Sequence, residues 1–294
     1  MKKVFIASAI ISLMGFCTQK SKAQALNFGA YSYIDLNDNI LPDNQSYTKE
    51  CWVKMYSTNA VHGRNFISAY DHPFWVENGY LSAANSYGSS FTATLVDPVA
   101  FPLSVWTHVA VTYDAATTTM KLYRNGNLVA STTTAPAYFG SPLMIGSVDG
   151  GDFLDGTDVD EVRIWDVART QSEIQAAMNC DVPAQSHLIA YYRFDQGTPN
   201  GNNTSLLMAY DYSGNGNCGE LVNFDLSSGK PANYINGYIS SCYSIVPSLS
   251  APAAITGTAV VCEGSSVALS DATSGGEWSS GDINIAAIAA DGTV

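Results

Sequence analysis

Basic residues are scarce. Lysine and arginine together number 13 against 26 aspartates and glutamates, for a formal net charge of −13, and only 13% of the 294 residues carry charge. A nucleic-acid binder neutralises phosphates with a basic stripe, and no such stripe exists here, so that class is excluded. Long apolar runs are missing too: past the N-terminal region no segment reaches the roughly 18 uninterrupted apolar residues of a membrane-spanning helix. There are six cysteines and no CxxC pair, which leaves zinc-ribbon and thioredoxin-type chemistry without support. Histidines are four and single, at His62, His72, His108 and His187. A nucleophile elbow needs G-x-S-x-G, and the nearest stretch, Gly146 to Gly150, lacks the central serine. "GNGNCG", Gly214 to Gly219, formally matches a dinucleotide fingerprint. The next residues, "ELVNF", have a strand's composition, whereas the fingerprint requires a helix opening on the phosphates.

What is present points outward from the cell. The first 25 residues combine Lys2 and Lys3, an apolar run from Val4 to Phe16 and a small-x-small site at Ala23-Gln24-Ala25, the pattern of a secretory signal peptide. Phe16 before Cys17 argues against a lipoprotein, so simple export is expected. Without Cys17, five cysteines remain: Cys51, Cys180, Cys218, Cys242 and Cys262. Disulfides are allowed in an oxidising compartment, but an odd count leaves at least one thiol free, paired between chains or separated from its partner.

Short runs of alternating apolar and polar residues recur between Gly, Asn, Asp and Pro, as in antiparallel sheets. "YTKECWVKMYS" (47–57) is the longest, and "WTHVAVTY", "TMKLYRN", "LVASTTT" and "VDEVRIWDV" are further examples. Asn125-Gly126 supplies the two positive-φ residues of a type I′ hairpin turn. One helix is signalled, at "RTQSEIQAAMN": Thr170 as N-cap and Glu173 three residues on form a capping box. Many strands and one small helix imply two packed antiparallel sheets. After Pro247 the composition shifts to Ala, Ser, Thr and Gly. The expected organisation is a signal peptide at 1–25, a sandwich at 26–245, a Pro-bearing linker at 246–254 and part of a second β-domain at 255–294.

Acidic residues concentrate in "DGGDFLDGTDVDE", Asp149 to Glu161. Calcium takes six to eight oxygens, and Asp149, Asp152, Asp155 and Asp158, with glycines that let carbonyls approach, are candidate ligands. Their spacing of three differs from the EF-hand alternation. Asp35, Asn37 and Asn39 do alternate, but Ile40 stands where that loop needs Gly. A solvated acidic loop is the plain alternative for both.

The segments "ALNFGAYSYIDL", "YTKECWVK", "WTHVAVTYDAATTTMKLYRNGNLVAS", "GTDVDEVRIWDVARTQSEI" and "LIAYYRFDQG…DYSGNGNCGELVNF", in that order from about Ala25 to about Phe224, resemble the laminin-G-like, concanavalin A-like jelly-roll modules of secreted bacterial proteins. The tail from Ile255 resembles a bacterial immunoglobulin-like repeat cut short. This resemblance implies an all-β antiparallel jelly-roll sandwich with one short helix, followed by a partial immunoglobulin-like domain. It also implies an extracellular or surface-attached binding and adhesion module for a glycan or surface protein, with calcium at a rim loop. The first strand lacks the Asp-Gly turn that often carries one calcium ligand, and Cys51 replaces a small apolar residue. Glucanases on the same sandwich carry Glu-x-Asp-x-x-Glu, absent here. Asp158 and Asp160 share a face, but Asp160 matches the family's structural pre-strand aspartate, and the resemblance puts His108 in a core strand. No catalytic residue is expected. A divergent glycoside hydrolase and a purely structural adhesin segment are the alternatives. A glycan platform would be aromatic, and "HPFWVENGYLSAANSYG" offers Phe74, Trp75, Tyr80 and Tyr87. Alternation places Phe74 and Trp75 on opposite faces, so one is core. Trp52, Trp106 and Trp165 are expected in the core.

Overall fold

The computed structural model describes residues 24–36, 39–58, 63–85, 94–138 and 140–238, with short pieces at 3–5, 256–257, 260–262, 266, 268–270, 289 and 293. In chain order the strands begin with β1 (Lys3–Phe5), β2 (Gln24–Phe28), β3 (Tyr33–Asp35), β4 (Tyr47–Met55), β5 (Arg64–Asn65), β6 (Ile67–Ser68) and β7 (Phe74–Glu77). Next are β8 (Tyr80–Ala83), β9 (Leu95–Val96), β10 (Thr107–Asp114), β11 (Thr119–Arg124), β12 (Asn127–Thr132), β13 (Met144–Ile145) and β14 (Thr157–Trp165). Helix α1 (Gln171–Ala177) precedes β15 (Leu188–Tyr192), β16 (Met208–Ala209), β17 (Gly219–Val222) and β18 (Tyr234–Asn236). Then come β19 (Thr256–Gly257), β20 (Val260–Cys262) and β21 (Leu269–Ser270).

Two compact units result, residues 17–242 and residues 1–16 with 243–294. In the smaller one β1 pairs with β20 and β19 with β21, both antiparallel. Most of the expected signal peptide and of the immunoglobulin-like tail lies outside the described residues. Among the described residues no helix is long and apolar enough to cross a membrane.

The larger unit is the expected sandwich. One sheet runs β12-β11-β10-β4-β14-β2-β18, with β15 also on β14; the strands β16-β17-β3-β13-β6 and β5-β7-β8-β9 make up the rest. A single buried cluster joins their inner faces, from Val53, Val109 and Ile164 to Ile34, Ile67, Phe74, Leu81 and Ile145. Asn125 (φ 51°) and Gly126 (φ 71°) form the type I′ turn between β11 and β12. The capping box opens α1 as its sequence requires, Thr170 accepting from the Glu173 amide and the Glu173 side chain accepting from Thr170 N.

β4 is buried on both faces. Tyr47, Cys51, Val53 and Met55 point into the core, together with Lys49. The amine of Lys49 donates to the His72 carbonyl and stands 3.3 Å from His72 Nδ1, within a ring of Tyr47, Tyr113 and Tyr138. Burial holds this amine well below the usual lysine range. Burial, and then the charge of Lys49, lowers the His72 imidazole.

The opposite face of β4 carries Glu50 and Trp52, which lie not in the inter-sheet core but beneath the chain on either side of α1, Glu50 under Arg169 and Trp52 under Met178 and Tyr238. Trp165 Nε1 donates to Glu50 Oε1 at 2.9 Å, Arg169 Nη1 reaches the same oxygen at 3.3 Å, and His108 Nε2 is 3.4 Å from Oε2. Burial would push the Glu50 carboxyl up. The His108 ring and the guanidinium charges of Arg163 and Arg169 outweigh it and hold the group at about 2. A β-bulge between Asp160 and Arg163, with Glu161 at φ 54°, brings Glu161 beside Arg163 at 2.6 Å, and Tyr191 OH donates to the same carboxylate. Arg163 also donates to the carbonyls of Ala177 and Cys180, and Trp52 Nε1 to that of Met178. The helix has no basic residue in its last turn, so these donors from the sheet satisfy the carbonyls that its end leaves open. Ile174 packs below onto Ala110 and Tyr123.

Cys51 and Cys218 are free thiols and Cys180 is disulfide-bonded. His108 is a buried structural histidine. Trp106, unlike Trp52 and Trp165, is only half-buried, its ring 6.1 Å from that of Tyr238.

Two outcomes are expected of the Glu50 network. Arg163→Met strands two buried carboxylates and is expected to cost about 3–5 kcal/mol, seen as a lower denaturant midpoint. Because the folded-state value of Glu50 is depressed from 4.5 to about 2, its contribution is complete above about pH 4.5. It is lost as pH falls through 2, so melting temperatures are expected to drop across that window, and less steeply in Glu50→Gln.

Candidate functional site

The acidic loop is built by turn chemistry. Asp149 (φ 49°) and Gly150 (φ 69°) make a second left-handed pair, and Val148 and Gly151 exchange both backbone hydrogen bonds across it, at 3.1 and 2.8 Å. Ser147 Oγ closes onto the Gly151 carbonyl at 2.7 Å, and Leu154, fully buried, pins the far side. Two donors arrive from the strand below. Asn65 Nδ2 donates to the Asp152 carbonyl at 3.0 Å, and Arg64 Nη1 donates to that of Asp155.

This geometry does not gather the four predicted calcium ligands. Asp149, Asp152 and Asp155 are exposed, while Asp158 is buried in β14, where Asn27 Nδ2 (2.6 Å) and Tyr56 OH (2.7 Å) occupy its two oxygens. Loop carbonyls that a cation would use face an amide and a guanidinium instead. Among the described residues no three His, Cys, Asp or Glu side chains form a metal-holding group. The donor set does not fit calcium. Of the Asp35 alternative, Asn37 lies outside the described residues.

The aromatic candidates separate by face. Phe74 and Val76 point into the core, whereas Trp75 and Glu77 point outward, joined by a 3.3 Å hydrogen bond from Trp75 Nε1 to Glu77 Oε2. Tyr80, 39% exposed, stands across from Glu77 on the same face, after the Asn78-Gly79 turn. Tyr87 lies outside the described residues.

Trp75 is one wall of a pocket of about 380 Å³ lined by Gly63, Asn65, Pro73, Glu77, Val148 and Asp152. The four-stranded sheet supplies the floor and the acidic loop supplies Val148 and Asp152. Trp75 is only 5% exposed, so its ring forms a wall and is not a free-standing platform. Gly63 permits that packing: a Cβ there would fall 2.4 Å from Trp75 Cδ1. A shallower depression lined by Gln45, Ser46, Asp114, Asp166, Val167 and Ala168 has no aromatic wall.

The sequence singles out Trp75 and Asp152 for two different sites, and the fold brings them into one. Glu77 is within reach of the same reasoning, since period two puts it on the Trp75 face. Asn65, Gly63, Pro73 and Val148 carry no such signal. The same-face pair Asp158 and Asp160 is buried away from the pocket. Asp160 accepts from the backbone amides of Glu161 (2.8 Å) and Tyr238 (3.0 Å), as a structural residue does.

The family model described as the concanavalin A-like lectin/glucanases superfamily matches residues 28–175, a span that contains every residue of the pocket. No curated protein matches the chain. Among solved structures, a Bacteroides ovatus ATCC 8483 protein to which carbohydrate binding is ascribed has a TM-score of 0.54 at 21% identity, over 69% of this chain and 58% of its own. The shared fold therefore spans little more than half of that protein. Domain 4 of AbnA, an extracellular GH43 arabinanase of Geobacillus stearothermophilus, in complex with arabinotriose, gives 0.44 at 23% identity over 59% and 85%. The Ruminococcus gnavus IT-sialidase CBM40 gives 0.42 at 18% over 55% and 98%.

Because Arg64 and Asn65 hold the acidic loop, melting is expected to be the same in millimolar calcium and in chelator. A rise of several degrees with calcium would return the metal to this loop, since a native-state ligand stabilises by mass action.

Proposed function

Since the chain belongs to the concanavalin A-like lectin/glucanases superfamily, we propose that its sandwich is a non-catalytic, extracellular glycan-binding module that takes its ligand in the Trp75 pocket. One observation carries the reading: an indole wall flanked by carboxylates and an amide, on the outer face of a sheet in this fold. Sugars present apolar C–H faces and a rim of hydroxyls, and a ring beside fixed polar groups matches both. The volume suits a small part of a glycan, not a whole chain. The carbohydrate binding ascribed to the Bacteroides ovatus protein of similar fold supports the same class.

A hydrolase would need a carboxylate pair facing the substrate. Asp158 and Asp160 spend their oxygens on Asn27, Tyr56 and backbone amides, and Glu77 accepts the Trp75 indole. These engagements favour binding over catalysis. A surface-protein ligand has no comparable observation in its favour.

A glycan array probed with the tagged protein is expected to yield binders. Trp75→Ala should weaken them by about 30-fold, as loss of a buried aromatic anchor worth about 2 kcal/mol implies. Trp75→Phe, which keeps a ring, should retain most of the affinity, while circular dichroism verifies folding of both. Release of reducing ends from a bound polysaccharide would overturn the non-catalytic reading.

A further inference from the structure

Among the described residues, the side-chain polar atoms of the Trp75 pocket that remain unengaged are all acceptors. Asn65 Nδ2 has two N–H bonds to give, and both are committed, to the Gly63 carbonyl at 3.3 Å and the Asp152 carbonyl at 3.0 Å. These two acceptors also fix the orientation of the amide, so the oxygen Oδ1 is the atom left for a ligand. The Trp75 indole N–H is directed to Glu77. Asp152 and Glu77 are carboxylates, which accept and do not donate. Pro73, Val148 and Gly63 contribute no polar side-chain atom. Among the described residues, the lining side chains therefore offer acceptors and no unspent donor.

Charge points the same way. Among the described residues no lysine, arginine or histidine lines the pocket. The cation nearest in sequence, Arg64, donates to the Asp155 carbonyl on the loop, and the loop adds Asp149 and Asp155, both exposed. The chain as a whole stands at −13.

We infer that the Trp75 pocket selects donor-rich, uncharged or amine-bearing glycans and rejects glycans whose bound residue carries a carboxylate, sulfate or phosphate. This rests on the reading of the pocket as the glycan site. Glu77 and Asp152 each accept from sugar hydroxyls, and one carboxylate can take two neighbouring hydroxyls at once. An ammonium in place of a hydroxyl strengthens the contact. An anionic substituent finds no donor among the side chains and meets two negative charges at close range, where each repulsion is worth about 5-fold or more in affinity.

The test is an array carrying neutral oligosaccharides, their sialylated, uronate or sulfated counterparts, and chitosan oligosaccharides, with titration calorimetry on matched pairs. The wild type is expected to bind neutral or amine-bearing members, with each anionic counterpart about 10-fold weaker or worse. Raising the salt should narrow that gap. The double variant Glu77→Gln, Asp152→Asn, nearly isosteric and with melting measured as a check on folding, gains amide donors and loses two charges. It should bring anionic counterparts within about threefold of the neutral ones. Anionic glycans that bind the wild type as well as neutral ones, in a manner lost in Trp75→Ala, would overturn the charge rule and leave the site standing. Binders that Trp75→Ala does not affect, or an array without binders, would overturn the site itself and the rule with it.

Discussion

Glu50 is the constraint on which the larger unit turns. A carboxylate with no solvent exposure, at the centre of the sheet's longest contact, is tolerable only if its charge is met from several directions. Those directions are β10 through His108, β14 through Arg163 and Trp165, and the chain before α1 through Arg169. Arg163 then reaches on to the end of the helix, so one ionic network sets sheet register, the bulge at Glu161 and the seat of α1 together. The Trp75 pocket lies on the other layer, on short strands whose inner residues rest on the core formed against β4, β10 and β14.

Local signals read well where the physics is local. Asn125-Gly126 and the Thr170–Glu173 box specify backbone geometry within four residues, and both stand as their sequences dictate. Alternation correctly separates Phe74 from Trp75 without deciding which is inside, because that depends on which layer β7 joins. β4 shows the limit more sharply. Alternation predicts the strand, but its Glu50 and Trp52 are covered by Arg169 and Met178, more than 100 residues away in sequence on either side of α1. Nothing in "TKECWVK" encodes that cover.

The aspartates of the rim loop show a different limit. A spacing of three reads as a set of convergent oxygens, but the conformations between them are turns, with left-handed backbone at Asp149, Gly150, Asp152 and Gly156, and among the described residues no three acidic side chains come together. Asp158 already belongs to a strand, with partners more than 100 residues distant. The pocket is half legible, in Trp75 and Asp152, because its chemistry is carried by residue types that stand out. Its small and neutral residues, Gly63 above all, matter through the space they leave empty, and a sequence does not advertise empty space.

Lys49 has a consequence of its own. An amine that burial drives toward its neutral form is the nucleophilic form of lysine, yet here it is sealed between tyrosine rings and the His72 carbonyl, out of reach of any reagent in solution. The shift and the seal have one cause, so opening the site exposes the amine and at the same time restores an ordinary lysine. Its acylation would record each moment at which the two layers part, making this one side chain a clock for the opening of the sandwich.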